Sequence, residues 1–195
     1  KYCVVVSSGT SALHLAYLAA GLKPGDEIIT SPITFIATSN AALFVGAKPI
    51  FVDVDYETAN ISIKHLERNV NEKTKVIVPV HFAGYPCEIW GVREIALKHD
   101  VYVIEDACHA FGAEYRYRGR WYKIGSCKHS DMTVFSFHPV KSITTGEGGA
   151  ITTNNKLLYE KLRCLRNHGI YKDRNTTKKG QWFYAVSYTH LRAHE

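Results

Sequence analysis

The sequence predicts an α/β domain, a mostly parallel sheet with helices on both faces. Three observations carry that expectation. Short apolar, β-branched runs alternate with segments of helical period over residues 4–104. Turn chemistry separates them, as in Lys23-Pro24-Gly25-Asp26. At 195 residues the chain has the length of one domain. A chain of that size buries roughly 70% of its unfolded surface, enough for a substantial core.

The elements follow in order. Residues 4–6 are a short apolar strand. Ser7-Ser8-Gly9-Thr10 turns the chain and caps a helix to about residue 20, with Leu13, Ala16, Tyr17 and Ala20 on one face. Strands are expected at 27–30, 48–54, 75–80 and 101–104, and helices at 34–45, 62–69 and 89–99. The strand at 101–104 runs into Glu105-Asp106. Residues 114–124 break the rhythm: Y-R-Y-R-G-R-W-Y alternates aromatic and basic side chains about Gly119 and predicts a hairpin. A buried strand at 133–137 is stopped by His138-Pro139, because proline cannot continue a central strand. Gly146, Gly148 and Gly149 break the chain before a strand at 150–153, and a helix at 155–166 closes the core.

Composition narrows the classes of function. The chain is 46% hydrophobic, as in an ordinary globular protein. No apolar run reaches the ~20 residues of a membrane span, and the first residues lack the plan of a signal peptide. No membrane partner is expected. Cys3, Cys87, Cys108, Cys127 and Cys164 form no C-x-x-C pair, and their number is odd. Reduced thiols and a cytoplasmic location are therefore expected. The net charge of +6 suits an anionic ligand such as a phosphate, or nucleic acid.

Several residues could carry chemistry. Lys141 follows a strand end and precedes a Gly-rich turn, a setting suited to a Schiff base; a surface lysine in a turn is the other interpretation. Gly9-Thr10-Ser11 stands where a strand becomes a helix, which makes a phosphate site or a plain helix cap. Asp106 ends an apolar strand on the edge where parallel α/β folds bind ligands, although it could instead cap a helix. Glu105 competes with it, but strand alternation turns Glu105 the other way. His81, His109, His129 and His138 with Cys108 and Cys127 lack H-x3-5-H or C-x2-4-C spacing, so no metal is expected. Arg116, Arg118, Arg120 and Lys123 with Tyr115, Tyr117, Trp121 and Tyr122 fit the outward face of a hairpin better than a nucleic-acid surface.

One long segment, F-S-F-H-P-V-K-S-I-T-T-G-E-G-G, resembles the lysine segment of the DegT/DnrJ/StrS family of pyridoxal-phosphate sugar aminotransferases. S-S-G-T-S-A-L-H from Ser7, S-P-I-T-F-I-A-T from Ser31 and E-D-A-C-H-A-F-G from Glu105 resemble three further family segments in the same order. The resemblance implies the large domain of pyridoxal-phosphate fold type I over residues 1–186, with an N-terminal segment and a C-terminal small domain lying outside this chain. Residues 187–195 depart from the family pattern and are expected to be a non-native tail. Lys141 would carry pyridoxal 5'-phosphate, with Asp106 paired to its ring nitrogen and His109 near the ring. Gly9, Thr10, Ser11 and Ser136 would hold the phosphate, and Phe35, otherwise a core aromatic, would stack on the ring's open face. The activity implied is amino transfer from glutamate to a 4-keto nucleotide sugar, in a homodimer whose second subunit lends an asparagine to the phosphate. Relatives that dehydrate sugars have histidine at the lysine position, so Lys141 favours transamination. A catalytically inactive fragment that at most binds the cofactor is one alternative, and a sugar aminotransferase of a dTDP- or GDP-sugar pathway is another.

Overall fold

The computed structural model describes residues 1–171 and 183–184, so the expectation for 187–195 lies outside the described residues. In chain order the elements are β1 (Tyr2–Val6), α1 (Gly9–Ala19), β2 (Glu27–Thr30), α2 (Ala37–Leu43), β3 (Lys48–Phe51), α3 (Ile63–Asn69), β4 (Thr74–Val78) and α4 (Ile89–His99). There follow β5 (Tyr102–Asp106), the hairpin strands β6 (Glu114–Tyr117) and β7 (Arg120–Lys123), β8 (Met132–Ser136), β9 (Gly149–Thr153), α5 (Lys156–Arg166) and the short pair β10 (Ile170–Tyr171) and β11 (Phe183–Tyr184).

One seven-stranded sheet runs in the order β1-β9-β8-β5-β4-β2-β3. Ladders from β3 through β2, β4 and β5 to β8 are parallel, because a crossover separates each pair in sequence. Strand β9 is antiparallel to both β8 and β1. It returns from β8 through a loop with no helix, and a direct return gives antiparallel pairing.

Successive residues of the central strands enter opposite cores. Ile28, Val76, Val78, Ile104 and Val134 pack with Leu13, Tyr17, Leu158 and Leu162 of α1 and α5. Their neighbours Ile29, Ile77, Val103 and Phe135 pack with Ile89, Val92 and Ile95 of α4. This is the period of 2 acting on a sheet covered on both sides, and it explains the nearly continuous apolar strands.

Several boundaries depart from expectation, among them the ends of α2 at Leu43 and β4 at Val78, and three do so for a clear local reason. Helix α2 starts at Ala37 rather than 34, since Thr34 Oγ1 bonds the Phe35 carbonyl and the Thr38 hydroxyl before the helix forms. Strand β3 ends at Phe51; Val54 instead bridges Ile61 and closes a loop. Strand β5 continues through Asp106, whose N–H donates to the Pro79 carbonyl at 2.9 Å.

Candidate active site

The start of α1, the start of α2 and the ends of β5 and β8 surround a cavity of about 280 Å³. Its lining includes Gly9, Thr10, Phe35, Asp106, His109, Ser136 and Lys141, which the family resemblance placed in one site from four separate stretches. Ser11 does not line it. The Ser11 hydroxyl meets those of Ser7 and Ser8, and its N–H donates to Ser8 Oγ at 3.1 Å, capping the helix.

The α1 start forms an anion cradle. The N–H groups of Gly9 and Thr10 find no acceptor among the described residues, and they point from the positive end of an eleven-residue helix. Gly9 is needed for close approach: a Cβ there would lie 2.9 Å from Ser136 Cβ and 3.1 Å from Cys108 Sγ. Behind it, a Cβ on Gly149 would lie 2.9 Å from Gly9 N and closer still to the Ser8 carbonyl, so β9 can pass under the helix start only as glycine.

Asp106 is 4% exposed, and its carboxylate faces the cavity. Thr38 Oγ1 donates to Oδ2 at 2.7 Å, and the Cys108 N–H donates to Oδ1 at 3.2 Å. Thr38 is in turn braced by the Tyr17 hydroxyl, which donates to its carbonyl at 2.8 Å. Burial pushes the Tyr17 pKa up, and Asp106 and Cys108 push it further, so the phenol keeps its proton. Thr38 and its neighbour Thr34 are site residues that sequence reasoning passed over. The signal was a pair of hydroxyls four apart at a helix start, inside a segment already singled out.

Lys141 lies in a loop tied to the Gly-rich turn. Its N–H donates to the His138 carbonyl at 2.9 Å, the Phe137 N–H to the Gly148 carbonyl at 2.9 Å, and Thr144 Oγ1 to the Phe137 carbonyl at 2.9 Å. His138 and Glu147 share the rim with it, their side chains 3.7 Å apart. His109 is half-buried; burial lowers its pKa, Lys141 lowers it further, and Asp106 opposes both. The imidazole is therefore neutral at pH 7. Phe35 stands at the mouth, 66% exposed.

Glu105 points away from the cavity into a buried network with His81, Ser130 and Thr133. Tyr115 and Tyr122 of the hairpin pack inward on His129, with Tyr115 Oη 2.7 Å from His129 Nδ1, while Trp121 faces out. The histidines and cysteines weighed as metal ligands are scattered, and no cluster of three such groups occurs among the described residues.

This sheet, with its single antiparallel strand and a lysine, a carboxylate and a helix start around one cavity, is that of the fold type I pyridoxal-phosphate enzymes. The chain belongs to the DegT/DnrJ/EryC1/StrS aminotransferase family, whose profile matches residues 1–189. It is 45% identical over 169 residues to GDP-perosamine synthase of Escherichia coli O157:H7, covering 87% of this chain and 44% of that protein. Among solved structures, an aminotransferase from Psychrobacter cryohalolentis superposes with a TM-score of 0.85 at 38% identity, over 94% of this chain and 46% of that one. PseC of Helicobacter pylori, an aminotransferase of pseudaminic acid biosynthesis, gives 0.81 at 36% identity, over 94% and 47%. NtdA of Bacillus subtilis, solved with pyridoxamine phosphate (PMP) bound, gives 0.79 at 34% identity, over 94% and 40%. The chain thus spans about half the length of the relatives it matches.

Proposed function

We infer that this chain forms the cofactor-binding half of an enzyme that moves an amino group from glutamate to a 4-keto nucleotide sugar. The observation that carries this is the convergence of Lys141, Asp106 and the α1 start on one cavity. The fit to pyridoxal phosphate is chemical. Unpartnered N–H groups with the Thr10 and Ser136 hydroxyls suit its phosphate, a buried carboxylate suits a protonated ring nitrogen, and the glycine at position 9 leaves room for the ester. Ser11 then serves the phosphate only through the helix start, by donating its N–H to the capping Ser8.

When bound, the cofactor supplies an electron sink for the substrate carbanion. The residues do the rest. Lys141, on a long flexible stem, takes the proton from the amino acid's Cα and returns one on the other side of the exchange. Asp106, oriented by Thr38 and the Cys108 N–H, would pair with the ring nitrogen. Neutral His109 would lie beside the ring, and Phe35, at the cavity mouth, would cover its open face and exclude water.

We place the sugar as a UDP-linked 4-keto-6-deoxy-N-acetylhexosamine of pseudaminic-acid or related surface-glycan synthesis, which the likeness to PseC supports. The 45% identity to a GDP-perosamine synthase supports a GDP-linked sugar as a second reading. In the whole protein a second copy completes the site. Exposed Phe35, Ile36, Leu43 and Phe44 around α2 support such a partner. A cytoplasmic location accords with this chemistry; among the described residues no helix is long and apolar enough to cross a membrane.

The test is direct. Adding pyridoxal phosphate to the full protein carrying this sequence should give a visible absorption band. Borohydride trapping and peptide mapping should then label Lys141; a label on another lysine would overturn the assignment.

A further inference from the structure

We propose that the buried Glu105–His81 pair is a positioning device for Asp106, holding the end of β5 so that its carboxylate stays aimed into the cavity. The inference rests on the cofactor reading above. Glu105 and Asp106 are consecutive strand residues and so face opposite sides of the sheet. The regular β4–β5 ladder pairs only Val76 with Tyr102 and Ile77 with Val103, so β5 runs on beyond it. The β8 ladder holds one side of the extension, pairing Ile104, Glu105 and Asp106 with Met132, Thr133 and Val134; on the β4 side it is held by a clamp centred on His81. Its backbone N–H donates to the Asp106 carbonyl at 3.1 Å, and the Asp106 N–H donates to the Pro79 carbonyl at 2.9 Å. The His81 side chain reaches over the other face and donates Nε2–H to Glu105 Oε2 at 2.8 Å. From the β8 side, Thr133 Oγ1 at 2.7 Å and Ser130 Oγ donate to the other Glu105 oxygen. One carboxylate is thereby gripped from both neighbouring strands, one residue before the aspartate.

The clamp is rigid because its tautomer is determined. His81 Nδ1 accepts the Cys87 N–H at 2.9 Å, so the ring's proton sits on Nε2. Burial opposes a second proton, but Cys87 and Glu105 outweigh it and push the His81 pKa up to about 10. A second proton would have to sit on Nδ1, where the Cys87 N–H already donates, so the geometry keeps the ring singly protonated and neutral. Burial raises the Glu105 pKa, but its donors more than reverse that, so Glu105 carries the charge of the pair. Neither side chain lines the cavity; both act through Asp106.

The test uses the full protein and four readouts: melting temperature, the dissociation constant for pyridoxal phosphate, visible circular dichroism of the bound chromophore, and kcat against KM for the amino-acid donor. Glu105→Ala removes the grip. It should weaken cofactor binding by about 10-fold, alter the visible dichroism and lower kcat by about 10-fold, with KM within about threefold of wild type. Glu105→Gln keeps an acceptor for His81, and the Ser130 and Thr133 hydroxyls can turn to accept from its amide, so it should restore all three to within about threefold. Thr133→Val, a milder loss, should shift the dichroism in the same direction as Glu105→Ala. A lower melting temperature with unchanged dichroism and cofactor affinity would reduce the pair to a stability element and overturn the inference. Equal damage from Gln and Ala would overturn it too, by showing that charge and not position matters. A wild-type protein that gives no visible band would overturn the cofactor reading first, and this inference with it.

Discussion

Replacing Asp106 by asparagine separates the charge of this side chain from its shape. The carboxylate accepts from the Cys108 N–H at 3.2 Å and from Thr38 Oγ1 at 2.7 Å. In the variant the amide oxygen must stay on the Cys108 N–H, since two N–H groups cannot face each other. That directs the NH2 at Thr38 Oγ1, which can accept it and turn its own proton to Thr34 Oγ1, 2.7 Å away. Every polar atom keeps a partner. Two charge-assisted bonds become neutral ones, a loss of roughly 1 kcal/mol each, and relief from burying an anion offsets much of it. The melting temperature should move by less than about 4 °C. The cofactor's ring nitrogen, by contrast, would lose the one buried carboxylate that lines the cavity among the described residues. Preorganised electrostatic contacts of this kind are commonly worth about 100- to 1,000-fold in rate, so transamination should fall at least ~100-fold, close to 2.7 kcal/mol of barrier. A coupled assay of 2-oxoglutarate release from glutamate, run beside a melting curve on the full protein, measures both. Activity within threefold of wild type would show that Asp106 merely caps the Cys108 turn.

Other perturbations test other links. Gly149→Ala puts a Cβ 2.9 Å from Gly9 N and against the Ser8 carbonyl, all backbone that cannot swing aside; overpacking at the upper end of ~1–3 kcal/mol should lower the melting temperature by about 6 °C or more, and an unchanged melt would refute the crowding. Burial lowers the pKa of His14, His109 and His129 below 6.5, aided by Lys141 at His109 and by Lys128 at His129. The unfolded chain then binds more protons than the native one below about pH 6.5, so stability falls with acidification there and is fully present above it. Urea midpoints should therefore drop from pH 7.5 to 5.5, with His109→Gln flattening the slope; a midpoint that rises on acidification would contradict the sign. With Ile36, Leu43 and Phe44 exposed around α2, the isolated 195-residue chain should self-associate and lack aminotransferase turnover, and light scattering that finds an active, monodisperse monomer would overturn this.

Alternation of apolar strands with periodic helices made the sheet and its two covered faces legible, because side-chain period is a local property of the chain. The same holds for the helix start at Ser8-Gly9 and for the stop at Pro139, which follow from capping and from proline's missing N–H. Chemical type let the sequence nominate Lys141 and Asp106, since few residues can do what an anionic, carbonyl-bearing ligand demands, and the family resemblance added Ser136. What no local signal carried was which groups meet. Thr38 bonds Asp106 across 68 positions of sequence, and His81 reaches Glu105 across 24. The sequence alone turned Glu105 away from Asp106 but could not say what it would turn toward. Ser11 has the right chemistry for the phosphate yet spends its N–H on Ser8, a choice made by where the helix begins. The antiparallel return of β9 likewise depended on the loop after β8 folding back rather than crossing over. Period and residue type act within a turn or two of the chain, whereas the partner of a buried polar group is decided by which strands become neighbours, and that is a property of the folded sheet.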